Sequence, residues 1–352
     1  MSWLVFAISA IVYWVTMEKS ASVWDCPEFI TTFHKLEVGH PPGAPFYMLA
    51  YNAFAELFPA HGDWIAIAGN ALSGLLSGLT ILLLFRTISH LIRRSFILRT
   101  ASWREETEIP ADYAWIALGS ALVGSLTYAF TDTFWYSAVE SEVYAFSSFF
   151  TALVFYLILK WEETRNPIKE DRWLLITAYL MGLSVGVHLL NLLAIPAMAL
   201  VYYFKRTEKA TWKGGVVATL LSFVLIAVIL FGIIPGVPEV AGYFDLFFVN
   251  TLGLSYNSGL ICYVLVLALV MGLTLYASMR RPVPMNLLRV GFLATCILLG
   301  IPFMGSGWIV PIIVIAALVW YLWYSKRTDA HRLAHLTMAM GLLFAGISTY
   351  GV

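Results

Sequence analysis

Hydrophobic runs long enough to cross a bilayer recur along almost the whole chain, and the polar residues fall into the gaps between them. A span of about 20 apolar residues crosses the roughly 30 Å hydrocarbon layer. On that measure the pattern predicts eleven segments, at 3–17, 64–85, 113–130, 138–159, 173–187, 189–204, 214–234, 259–278, 287–303, 308–324 and 333–350. The pair covering 173–204 is ambiguous by length alone, because about 48 Å of helix is too much for one crossing and little for two.

Lysine and arginine resolve it. Basic residues cluster at Arg86 to Arg104, Lys160 to Arg172, Lys205 to Lys213, Arg280 to Arg289 and Lys326 to Arg332, and only Lys19 and Lys35 stand elsewhere. The positive-inside rule puts all five clusters in the cytoplasm. An even number of crossings must then separate consecutive clusters, so 173–204 is expected to form a hairpin with His188 to Asn191 near its outer tip. By the same rule the polar stretch 18–63 faces out of the cytosol, and Arg93-Arg94 reads as a topology anchor.

Composition agrees with this picture. The 352 residues are 60% hydrophobic and 12% charged, against roughly 25% charged in soluble domains. The expected fold class is therefore an all-α polytopic membrane protein. With 21 basic and 21 acidic residues the chain has no net field to attract a polyanion, which argues against nucleic-acid binding. The three cysteines, Cys26, Cys262 and Cys296, form no disulfide framework and no zinc spacing. No repeat or low-complexity linker appears, so 1–352 reads as one integral domain. Its first helix is expected to stay uncleaved, and its last span exits outward near Val352, leaving room for a C-terminal soluble domain beyond the chain.

The first polar gap holds the densest chemistry. Residues 19–45 carry Asp25, Glu28, Glu37, His34, His40 and a Pro41-Pro42-Gly43 break, and polar groups so close to lipid call for a function. A short helix over Cys26 to Glu37, capped by Asp25, and a second from about Gly43 to Phe58, started by Pro42, are predicted. The second would show an apolar face of Phe46, Leu49, Ala50, Ala53 and Leu57 and a polar edge of Asn52 and Glu56. Both read as interfacial helices. Asp25-x-x-Glu28 also fits a capping box, and Ser137-x-x-Glu140 fits it more closely, which makes Glu140 structural and leaves Glu142 as the cavity candidate. His188, Asn191, and Tyr256 with Asn257 in the outward stretch Pro235 to Gly259 are further candidates. For these the plain alternatives are a satisfied histidine, a cross-helix hydrogen bond and turn chemistry.

These motifs carry a resemblance. Asp25-Cys26-Pro27-Glu28-Phe29 with Leu36-Glu37-Val38-Gly39-His40-Pro41-Pro42-Gly43-Ala44-Pro45 resembles the signature of the domain-of-unknown-function 2723 family (glycosyltransferase family 117). That family sits in the GT-C superfamily and is related to the protein O-mannosyltransferases. Ala138 to Tyr144, Gly182 to Asn191 and Gly253 to Gly259 extend the similarity to about residue 260.

The resemblance implies a GT-C-type bundle whose first outward loop works on a sugar carried by a polyprenyl or dolichyl phosphate. Asp25 then takes the part of general base, and Glu28, His40, Glu142, His188, Asn191, Tyr256 and Asn257 become donor- or acceptor-binding candidates. The chain offers no outward arginine for the donor phosphate. Its charge must be met by Lys19 or Lys35, by helix N-terminal amides, by imidazolium from His40 or His188, or by Mg²⁺ or Mn²⁺ with Asp25, Glu28 and Glu142 as candidate ligands. The metal and the imidazolium are favoured because outward cations are scarce. The implied activity is an inverting transfer of a hexose, such as mannose, to a Ser or Thr hydroxyl of an exported protein. It would take place at a bacterial inner membrane facing the periplasm, or at the endoplasmic reticulum facing the lumen. A lipid-linked sugar flippase and a non-catalytic membrane scaffold are the competing readings. Transporters place their polar groups at midplane breaks rather than in an outer loop.

Overall fold

The computed structural model describes residues 1–59, 61–100, 109–303, 307, 309–324 and 329–348. Trp103 to Arg104 and Lys326 to Arg327 of the basic clusters lie outside them. Among the described residues the chain is mostly helical and has no strand. It divides into two compact units: Met1–Trp173 with Leu180–Ala194, and Leu174–Tyr179 with Ile195–Ile347.

The first unit contains α1 (Ser2–Thr16), α2 (Cys26–Lys35), α3 (Pro45–Ala55), α4 (Asp63–Thr100), α5 (Ala111–Ala129), α6 (Asp132–Val139) and α7 (Val143–Glu163). The axis of the unit is α4. At 38 residues it is about 57 Å long at 1.5 Å per residue, so it outruns the predicted span 64–85 and carries its basic C-terminal turns well past the hydrocarbon layer. Helices α1, α5 and α7 pack along it. Small residues permit the close approach: a Cβ on Gly78 would meet Ala10 and the Phe6 ring, and one on Gly74 would meet Trp14.

The predicted span 138–159 is not continuous. Helix α6 ends at Val139 and α7 starts at Val143, and the flanking Glu140 and Glu142 are both extended (ψ 158° and 162°); α5 and α6 meet at a 66° bend. The bend and the break place two carboxylates in irregular backbone, where their polar main chain can be satisfied by other parts of the unit. Helix α8 (Pro167–Val185) and a 3₁₀ turn at Leu189–Leu193 leading into α9 (Ala194–Arg206) match the expected hairpin in sequence extent.

The second unit contains α10 (Trp212–Ala227), α11 (Ile234–Asn250), α12 (Ser258–Met279), α13 (Met285–Leu298), α14 (Ile309–Tyr324) and α15 (Ala330–Ile347). Here the expectation of an outward loop from Pro235 is corrected. A π-helical segment, Val228–Ile233, links α10 to α11, so that one 39-residue helical run reaches Asn250. Pro235 and Pro238 lie inside that run, next to the π-helical segment, and each removes one backbone donor from it. Helices α11 and α12 fold back on each other so closely that Gly259 abuts the Asp245 backbone, and the Asp245 carboxylate accepts the Gly259 N–H at 3.0 Å.

Among the described residues, five helices are long and apolar enough to cross a membrane, or six with the bent α5–α6 pair taken as one. Three shorter apolar helices, α1, α13 and α14, accompany them. The chain is a multi-pass membrane protein. Large apolar side chains such as Leu220, Phe223 and Leu265 are exposed on the second unit, as lipid contact demands.

Candidate functional site

The site is assembled by a polar anchor inside α4. Asn70 is fully buried; its amide N–H groups donate to the carbonyls of Glu18 (2.8 Å) and Ser20 (3.2 Å), and its carbonyl accepts from the Ser141 hydroxyl at 2.7 Å. One side chain therefore ties the start of the first loop to the break between α6 and α7. The Glu18 N–H donates to Val139 O at 3.1 Å, and the Ser22 hydroxyl donates to the Glu140 carboxylate at 2.5 Å. Gly69 leaves room for the crossing, because a Cβ there would collide with Ser141 Oγ and crowd the Phe33 ring.

Helices α2 and α3 then fold onto α4 as a pair. Tyr47, Met48 and Tyr51 are the buried face of α3; Leu57, the last residue of the predicted apolar face, lies beyond the helix and is 77% exposed. Tyr47 and Tyr51 stack at 3.9 Å, Phe29 packs edge-on against Tyr47, and Tyr51 exchanges a hydrogen bond with Ser73. Asn52 donates to Phe33 O, locking α3 to α2. The Phe46 N–H donates to Gly186 O at 2.8 Å. This pins the Pro41–Pro45 turn, with Gly43 at φ +71°, to the backbone just before His188.

Asp25 starts α2 without capping it: its carboxylate makes no cap hydrogen bond, and only its carbonyl accepts, from the Phe29 N–H. The capping box predicted for Asp25 and Glu28 is thus not formed. Glu28 instead takes the His40 backbone N–H at 2.7 Å and the His40 ring Nδ1 at 3.1 Å. Those bonds, the backbone one first, hold its carboxyl below the usual range. Nor does Glu140 form its box with Ser137, whose hydroxyl donates to Thr133 O instead.

Glu142 is 5% exposed. Burial, then the charges of Glu140 and Asp25, push its carboxyl up to about 7, and His40 partly offsets them. His188 begins the 3₁₀ turn; its Nδ1 accepts the Leu190 N–H at 3.2 Å, its ring lies 5.7 Å from that of Tyr144, and burial lowers its proton affinity.

A hollow of about 70 Å³ is lined by Asp25, Phe29, His40, Tyr144, Val187 and His188. A second, mostly apolar hollow of about 200 Å³ shares its Pro42–Ala44 wall and extends along Leu36, Val38, Met48 and Leu49. Ligand atoms of Asp25, Glu28 and His40 lie within 4.8 Å of one another. Two carboxylates and an imidazole suit Mn²⁺ better than Mg²⁺, which prefers an all-oxygen shell. Glu142 of the predicted metal set is not in that group.

Of the predicted residues, Asp25, His40 and His188 share the hollow. Glu28 holds His40, and Glu142 feels Asp25 and His40 electrostatically. Asn191 has a different role: it is fully buried, its carbonyl accepts from Ser147 and Thr151 and its amide donates to Ser184 O. Tyr256 and Asn257 belong to the second unit, where Tyr256 is 82% exposed and Asn257, at φ 67°, precedes α12. Sequence reasoning missed Asn70, Tyr144 and Phe29. A lone Asn inside an apolar span was the available signal for Asn70.

A family profile for the protein O-mannosyl-transferase TMEM260 N-terminal domain matches residues 25–211. The protein O-mannosyl-transferase TMEM260 of Mus musculus is 26% identical over 181 residues, covering 51% of this chain and 22% of that protein. The protein O-mannosyl-transferase tmem260 of Dictyostelium discoideum is 21% identical over 236 residues, covering 63% of this chain and 26% of that protein. The matches span about a quarter of the length of these curated relatives. No solved structure matches. Since the profile covers more than half of the residues and begins at Asp25, the chain belongs to the family of the protein O-mannosyl-transferase TMEM260 N-terminal domain.

Proposed function

We propose that the first unit is the catalytic part of a GT-C-type inverting glycosyltransferase. It would move a hexose, mannose by analogy with the relatives' names, from a polyprenyl or dolichyl phosphate to a Ser or Thr hydroxyl of a protein outside the cytosol. The observation that supports this reading best is the meeting of Asp25, His40 and His188 around one hollow beside an apolar groove. At about 70 Å³ the hollow has room for two or so waters at ~30 Å³ each. It suits a hydroxyl and the carbon it attacks, with the sugar in the open mouth and the lipid chain along Val38, Met48 and Leu49.

In this scheme the acceptor O–H gives its proton to the Asp25 carboxylate while its oxygen bonds to the anomeric carbon. The bond from that carbon to the phosphate oxygen breaks with its electron pair, and the centre inverts. General-base help of this kind contributes roughly 10² to 10⁴ in rate. Glu28 fixes the His40 ring toward the leaving phosphate. Asp25, Glu28 and His40 would hold a divalent ion, which would supply positive charge where Lys19 and Lys35 are the outward loop's lysines and arginine is missing.

The test is transfer of labelled mannose from polyprenyl phosphate to an acceptor peptide by the purified full chain. Asp25→Asn should lower the rate by roughly 10² to 10⁴, with protein yield unchanged and melting no lower than wild type. Equal rates would remove Asp25 from the chemistry, and full activity in EDTA would remove the metal. Movement of intact lipid-linked sugar with no transfer would favour the flippase.

A further inference from the structure

The far end of α4 carries a second, larger cavity that the catalytic reading does not use. It lies about 20 residues along α4 from Asn70, roughly 30 Å at 1.5 Å per residue, and measures about 840 Å³. One face of α4 supplies Arg86, Ser89, His90, Arg93 and Arg94; Lys160 and Glu163 come from α7, and Arg165 follows that helix. Apolar residues of α4, α5 and α7 (Phe85, Ala117, Leu118 and Tyr156) form the rest of the wall.

The charges do not balance. Among the described residues, five cations line the cavity against two carboxylates, Glu162 and Glu163. Those two are occupied: Arg94 reaches Glu162 at 2.5 Å, and His90 and Lys160 reach Glu163 at 2.9 and 2.7 Å. Arg86 has a long contact to the Ser2 hydroxyl, 3.4 Å, and faces the Trp3 ring at 5.9 Å. Among the described residues, Arg86, Arg93 and Arg165 have no carboxylate partner. The Ser89 hydroxyl is buried without a hydrogen-bond partner, although a helical serine can ordinarily turn back to a carbonyl of the preceding turn. Three spare guanidinium groups and an idle donor around one hollow repel each other unless an anion joins them.

We infer that this cavity binds the phosphate of an anionic phospholipid at the membrane face opposite the first loop. Guanidinium forks match phosphate oxygens two at a time, and basic pockets between helices on the cytoplasmic side suit such head groups. The apolar half of the wall selects a lipid over free phosphate, since it can cover the glycerol and the first acyl carbons. Arg93 would thus be a phosphate ligand as well as part of a topology signal. The inference rests on the first unit alone and stands whether or not Asp25 is catalytic.

The purified full chain in a neutral detergent should retain dioleoyl-phosphatidylglycerol in native mass spectrometry and should not retain dioleoyl-phosphatidylcholine. The double variant Arg93→Gln/Arg165→Gln should bind phosphatidylglycerol about 100-fold more weakly, roughly tenfold per lost charged hydrogen bond. Both side chains are exposed and free of ion pairs, so melting should stay the same. Should melting fall, the corresponding Lys pair must fold and keep the lipid; loss there too overturns the site. Equal retention of the two lipids, or wild-type affinity in the Gln pair, also overturns it. Displacement of phosphatidylglycerol by an equal concentration of inorganic phosphate would make this a free-phosphate site and refute the lipid assignment.

Discussion

Replacement of Glu142 by Gln tests the electrostatics of the loop independently of any substrate. Its carboxyl is raised from 4.5 to about 7, and at 1.36 kcal/mol per unit that corresponds to about 3 kcal/mol. The sign follows from linkage: the folded state holds the proton more tightly than the unfolded chain. The stabilising contribution is complete below the unfolded value of 4.5 and is lost as pH rises through the folded value near 7. The wild type is therefore penalised at pH 8 and not at pH 4.5. Gln keeps the shape, carries no charge and escapes the penalty, so Glu142→Gln should be more stable than wild type by up to about 3 kcal/mol at pH 8 and equal to it near pH 4.5. Tryptophan-fluorescence melting of detergent-solubilised protein between pH 4.5 and 8 measures the difference. Because Asp25 contributes to the shift, Asp25→Asn should move the midpoint of that pH dependence downward. A stability difference between wild type and Glu142→Gln that does not change with pH would refute the raised carboxyl.

Two further expectations concern packing. Tyr47 is fully buried with a hydroxyl that has no hydrogen-bond partner among the described residues, so Tyr47→Phe should melt at the wild-type temperature or above, by up to about 1 kcal/mol; a clear loss would mean the hydroxyl has a partner. Asn191→Leu removes one of the donors to Ser184 O, which keeps the Val187 and His188 N–H groups, and turns the Ser147 and Thr151 hydroxyls back on their own helix, so it should cost about 1 to 2 kcal/mol. The same variant should leave the KM for donor unchanged in the transfer assay, and a KM effect with normal melting would return Asn191 to the binding residues.

The class of the protein was legible in the chain because the bilayer imposes it: apolar runs of about 20 residues have no other economical use, and their backbone must be helical. Asp25, Glu28, His40, Glu142 and His188 were also legible, since charged and ionisable groups beside lipid stand out against a background that does not need them. Their partners were not. The pattern around Asp25 and Glu28 fits a capping box and a catalytic pair equally well, and only the arrival of His40 from twelve residues away decides that Glu28 turns to it. The buried face of α3 was not legible for a related reason. Tyr47 and Tyr51 count as polar-edged aromatics in a periodicity, yet packing against Phe29, Phe33 and Ser73 buries them, while Leu57 stays outside.

Hydropathy alone determined that this chain lives in a membrane and that its first polar gap is where chemistry is concentrated. Tertiary structure decided what that gap becomes. Asn70 ties it to the α6–α7 break, Gly186 holds the turn after His40, and α4 runs on far enough to gather Arg86, Arg93 and Arg94 beside Lys160. Each of these depends on groups distant in sequence meeting through directional hydrogen bonds or unpaired charge, and local patterns carry no record of which distant partner a polar side chain will find.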